Sequence, residues 1–178
     1  MTVNEVFSED NSVTPGFKDR VKQIAADIGS NETDLVKVMY AESRLKSDEK
    51  NGIGCVGLIQ FCPDEKGLTY KTIKGKRYYL NEIRGMDPLK QLDVVEKFYK
   101  ALGFNRNKKV DIYDLYGAAF LPIMVGKQDP NWVARSKKLS PQTITKQNPG
   151  IAKFSKRPDG LIDKAAFIRY VNYVNSML

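Results

Sequence analysis

Three residues of this chain combine a reactive side chain with an apolar setting: Glu42, Gln60 and Tyr116. Leu35, Val38 and Met39 precede Glu42 by seven, four and three positions, so a helix here sets its carboxyl on the apolar face. Burial disfavours the charged form of a carboxylate and raises its pKa, which is how a general acid is made at neutral pH. The plainer reading is a glutamate at a helix end, solvated or paired with Arg44 or Lys46. Gln60 closes the short run Gly57-Leu58-Ile59-Gln60 before Phe61, where an amide either meets a ligand or satisfies buried backbone groups. Tyr116 sits on an apolar stripe, and there a core role competes with a catalytic one. The chain has no histidine, which removes Ser-His-Asp and Cys-His catalysis and His-ligated zinc. Carboxylate chemistry remains.

The elements that must position these residues read as mostly helical. Residues 1–12 are polar and expected to be extended. Thr14 and Pro15 form an N-cap and first-turn pair, followed by a stripe of Phe17, Val21, Ile24, Ala25 and Ile28 that stops at Gly29. Asn31 caps the helix that carries Glu42, with Asp34 in its first turn. Residues 46–56 are a polar, Gly-containing loop, and 70–80 suggest a hairpin about Lys74-Gly75. Asp87-Pro88 starts a helix with Leu92, Val95, Tyr99 and Leu102 on one face and Gly103 at its end. Another helix covers about 111–121, with Ile112, Leu115, Tyr116 and Ala119 in register and Pro122 as its stop. Residues 122–150 read as irregular, punctuated by Pro130, Pro141 and Pro149. A last helix groups Phe167, Tyr170, Val171 and Val174. The expectation is one mainly α domain over residues 1–178, with at most one small β-hairpin.

Composition narrows the partners. Hydrophobic residues make up 42% of the 178, and the mean hydropathy is −0.43, as in soluble globular proteins. No apolar run approaches the roughly 20 residues of a membrane span, so no stable membrane insertion is expected. The acidic N-terminus lacks the apolar core of a Sec-type signal. Lys and Arg number 29 against 21 Asp and Glu, giving +8 and a pI near 9.4. That excess suits a polyanion: nucleic acid, anionic lipid or an acidic cell-wall polymer. The cations are spread out, with no block of five, which argues against a nucleic-acid tail. Cys55 and Cys62 are too few for a disulfide framework and read as small buried apolar residues, with a local disulfide as the alternative.

Glu42-Ser43, the Gly57–Phe61 segment and Asp114-Leu-Tyr-Gly-Ala-Ala-Phe-Leu-Pro122 occur here in that order. In this the chain resembles the lytic transglycosylases of the goose-type lysozyme superfamily, particularly phage-encoded peptidoglycan-degrading ones, from about residue 15 to 178. Val125-Gly126-Lys127 and the stretch from Asn148 to Asp163 extend the likeness. The resemblance implies a lysozyme-like fold. It also implies that Glu42 is the catalytic acid and that Tyr116 hydrogen-bonds it. Ser43 would lie near the substrate or the glutamate, and Gly57, Leu58, Ile59, Gln60 and Phe61 would line the glycan groove. The cysteines fall where relatives have small or apolar residues. The implied reaction is cleavage of the MurNAc-GlcNAc β-1,4 bond with formation of 1,6-anhydroMurNAc ends, without cofactor or metal. Composition, rather than the resemblance, suggests residues 70–80 and 104–110, both basic, as the groove wall opposite Glu42, where Lys and Arg would meet the lactyl and peptide carboxylates of the substrate.

Relatives also show a calcium-loop-like pattern near Asp159-Gly160. Here Ser155, Arg157 and Ala166 would occupy positions one, three and twelve, which does not make a calcium site. Two other functions compete with the transglycosylase. A hydrolytic muramidase needs a second carboxylate to position water, for which Asp48, Asp64 and Glu65 are candidates. A non-catalytic glycan-binding part of a phage tail needs none. Nucleic-acid binding gives Glu42 and Gln60 no role and is not expected. The expected partner is the peptidoglycan glycan strand, met by a monomer in the periplasm or cell wall. Delivery there would be as an endolysin, a virion-associated lysin or a secreted effector.

Overall fold

The apolar stripes become helices, each held at its ends by the residues that stop or cap it. The computed structural model describes residues 16–178, which fall into two compact units, one ending at Ile112 and one beginning at Tyr113. The expectations for residues 1–12 and for a helix start at Thr14-Pro15 fall outside the described residues.

In the first unit α1 spans Phe17–Asp27 from an N-cap at Gly16, and Gly29 follows it with φ +80°. No larger residue fits there, because a Cβ on Gly29 would stand 2.0 Å from the Lys108 carbonyl oxygen. Helix α2, Glu32–Ser43, is capped by Asn31, whose side chain accepts from the Asp34 amide at 2.9 Å. Helix α1 packs on α2 and on α4, Pro88–Ala101. Phe17, Val21 and Ile24 meet them with at most 1% exposure, each contributing about 2 kcal/mol of burial. Arg20 of α1 adds ion pairs to Asp93 (2.8 Å) and Glu96 (3.4 Å) of α4.

The hairpin expected about Lys74-Gly75 is present. Strand β1, Tyr70–Ile73, pairs antiparallel with β2, Lys76–Tyr79. Lys74 and Gly75 both have positive φ (48° and 80°), the requirement of a tight turn that matches strand twist. Helix α3, Leu80–Gly85, follows directly; it is too short to show a period in the sequence, and only Leu80 and Ile83 are buried. Helix α4 begins at Pro88 with Asp87 accepting from the Leu89 amide. Its Leu92, Val95 and Tyr99 are fully buried, whereas Leu102, placed on the same face by spacing, lies past the helix end and is exposed.

In the second unit α5, Ile112–Phe120, ends before a single 3-10 turn at Pro122–Met124. The stretch read as irregular contains α6, Pro141–Gln147, and α7, Pro149–Ala152. Both begin on a proline. Ser140 caps α6 through the Thr143 amide, a start signal hidden by its brevity. Helix α8, Lys164–Ser176, is capped by Asp163, which accepts from Ala166 at 2.8 Å. At the calcium-loop-like pattern Arg157 grips Asp159 through two bonds of 2.9 and 2.8 Å. That grip holds the Asp159 carboxyl down to about 2. Among the described residues the secondary structure is mainly α-helical with one two-stranded sheet.

Candidate functional site

Glu42 emerges from a fully buried stripe of the first unit. Leu35, Val38 and Met39, the residues that share its helical face, have no exposed surface. Glu42 itself is half-buried. Loss of hydration alone raises its pKa to about 7. Neither proposed partner neutralises it: Arg44 turns back over the Tyr40 ring at 4.7 Å, and Lys46 makes no ion pair among the described residues. The Glu42 carboxyl has no hydrogen bond or ion pair among them either. It is thus a proton-bearing acid near neutrality, held in place by packing.

The helix ends abruptly at this glutamate. Arg44 and Leu45 both take left-handed backbone (φ 56° and 60°), which turns the chain into the 46–56 loop. Ser43 is buried, its Oγ 3.0 Å from the Met39 carbonyl and 2.9 Å from the Leu58 carbonyl. One hydroxyl proton serves both acceptors in turn, so Ser43 ties the acid's helix to the Gly57–Phe61 segment.

That segment is a closed loop. Val56 and Phe61 bridge through paired backbone bonds of 3.0 and 2.7 Å. This bridge sets the next pair outward, Cys55 and Cys62, 4.2 Å apart at Cα, and they form a disulfide. The buried-thiol reading is therefore corrected: spacing alone could not show that the chain doubles back between the cysteines. Inside the loop Leu58, Ile59 and Phe61 are buried and form its floor. Gln60 adopts φ +54°, a strained conformation for a non-glycine residue, and its Nε2 donates to the Gly57 carbonyl at 2.9 Å. Its amide thus satisfies a buried backbone group, as the plainer reading allowed. Its Oε1 and both backbone polar groups of Ile59 have no partner among the described residues.

Gln91 is the residue that sequence reasoning missed. It is fully buried on α4, accepts from the Leu58 amide at 2.7 Å, and donates to the carbonyls of Ser47 (2.7 Å) and Ile83 (2.8 Å). One side chain thereby ties three backbone segments together. Gly57 makes room for it: a Cβ there would lie 2.5 Å from Gln91 Oε1, and φ is +81°. The signal was present, since Gln91 falls on the stripe of Val95 and Phe98 as a polar residue among apolar ones.

The other carboxylates have separate positions. Asp64 turns both oxygens to the Thr72 amide at 3.0 Å, and Asp48 and Glu65 are exposed. Tyr116 belongs to the second unit, where it is buried on α5 and its hydroxyl donates to Asn175 Oδ1 at 3.1 Å. Among the described residues no cluster of three or more acidic or cysteine side chains could hold a metal ion. Compared with protein-family models, curated protein sequences and solved structures, the chain matches none of them.

Proposed function

We propose that this protein is a peptidoglycan lytic transglycosylase of lysozyme-like fold, with Glu42 as acid and then base. The observation that carries the reading is a carboxyl with a pKa of about 7, raised by burial and paired with nothing among the described residues. Protonated Glu42 gives its proton to the glycosidic oxygen as the C1–O bond of N-acetylmuramic acid breaks. The muramic acid C6 hydroxyl then closes on C1, and its proton returns to the Glu42 carboxylate. The products are a 1,6-anhydro end and a free hydroxyl on the departing sugar. No water is consumed, and one carboxyl completes the cycle.

Two further observations support this reading. Hydrolysis calls for a second carboxylate that can orient water, and Asp64, the candidate nearest in sequence to Gln60, turns both oxygens to a backbone amide. The Cys55–Cys62 disulfide suits a protein that acts in an oxidising compartment such as the periplasm or cell surface. The test is mass spectrometry of products from purified sacculi. The expected fragments are one water lighter than hydrolysed ones and absent with Glu42→Gln. Fragments of hydrolysed mass would replace this reading with the muramidase, and full activity of Glu42→Gln would end both. Tyr116→Phe tests the phenol separately: a rate loss of tenfold or more without loss of stability would assign Tyr116 to the chemistry, and an unchanged rate would assign it to the core.

A further inference from the structure

The register of the hairpin places Tyr70 opposite Tyr79 and Thr72 opposite Arg77, so these four share one face. The reverse face carries Ile73 and Tyr78, both buried, with Lys71 and Lys76. On the outer face the Arg77 guanidinium lies 4.5 Å from the centre of the Tyr70 ring, and the two tyrosines meet edge to face at 5.9 Å. Tyr79 is 44% exposed. The hairpin holds four cations, Lys71, Lys74, Lys76 and Arg77, and no acid of its own. None of the four forms an ion pair among the described residues. The acid nearest in structure, Asp64, directs its carboxylate at the Thr72 amide.

We propose that this outer face binds a carboxylate-bearing sugar polymer, with Arg77 on the carboxylate and Tyr79 against a sugar ring. The cation of this face, Arg77, makes no ion pair among the described residues and so selects an anion, and a guanidinium already stacked on a ring is oriented for two-point pairing with a planar carboxylate. A row of nucleic-acid bases calls for successive aromatic platforms. Here Arg77 covers Tyr70, leaving Tyr79 as the one open ring of the face. It is the reverse face that packs toward the loop beside Glu42: Lys71 Nζ lies 5.6 Å from the Phe98 ring centre, and Phe98 meets Phe61 edge-on at 6.0 Å. The identity of the polymer as peptidoglycan rests on the transglycosylase reading; the preference for carboxylate does not.

The experiment titrates Glu42→Gln protein, which leaves the ligand intact, with three probes at one ionic strength. They are peptide-free peptidoglycan strands bearing free lactyl carboxylates, chitooligosaccharides of the same length, and a single-stranded oligonucleotide. Carboxylated strands are expected to bind about tenfold more tightly than the neutral ones. Adding Arg77→Ala should erase that ratio, Arg77→Lys should restore part of it, and Tyr79→Ala should weaken both sugars several-fold. Equal binding of neutral and carboxylated strands overturns the proposal, as does a ratio unmoved by Arg77→Ala. Oligonucleotide binding as tight as that of the glycan overturns it in favour of phosphate. The cleavage assay on unmutated protein is independent: absence of the anhydro product with the carboxylate ratio intact would remove the Glu42 reading and leave the hairpin assignment standing.

Discussion

Glu42 gives two pH dependences of opposite use. Its folded pKa of about 7 lies above the ordinary 4.5, so folding favours the protonated form. The penalty is absent below pH 4.5, grows as pH rises toward 7, and levels off above it. At 1.36 kcal/mol per unit it reaches about 3 kcal/mol at pH 8. Glu42→Gln is therefore expected to match the parent near pH 4 and exceed it by about 3 kcal/mol at pH 8, measured by urea unfolding. A difference that stays flat from pH 4 to 8 would remove the buried-acid account. If Glu42 is the acid of the proposed transglycosylase, the protonated form is the active one and kcat/KM should fall roughly tenfold per unit above pH 7. The awkward position of this residue was legible in the sequence because helical spacing alone puts it on the face of Leu35, Val38 and Met39.

At the scale of elements, the loop from Gly57 to Phe61 depends on a helix more than 30 residues away in sequence. Gln91→Leu would leave the Leu58 amide and the Ser47 and Ile83 carbonyls without this partner, at a cost of about 3 kcal/mol. Gly57→Ala meets the same amide and a positive φ, and should cost on the order of 2 kcal/mol. Because both changes break one contact, denaturation of the double variant should show less than the summed loss. Additive losses would mean that the two act separately. Cap residues made Asn31, Asp87 and the Lys74-Gly75 turn readable, since each signal is local. The disulfide, the Gln91 ties and the short helices after Pro122 were not readable. The first two join distant residues, and the helices are too brief to show a period.

At the scale of the molecule, no shift in composition marks the boundary between units at Ile112, which falls at the first residue of α5. The first unit has a covalent closure of its own. With seven residues of separation, the Cys55–Cys62 bond should contribute about 2–3 kcal/mol through the loop it closes. Thermal melts with and without reductant should show that loss, and an unchanged midpoint would mean the Val56–Phe61 bridge holds the loop unaided. The shielding of Glu42 has one more consequence in a chain without histidine: no imidazole titrates across the neutral range to mask it. The protein therefore carries its own indicator. A carbon-labelled carboxyl signal followed by NMR would report the charge of Glu42 directly, and a ligand closing over that carboxyl would announce itself as a displaced midpoint.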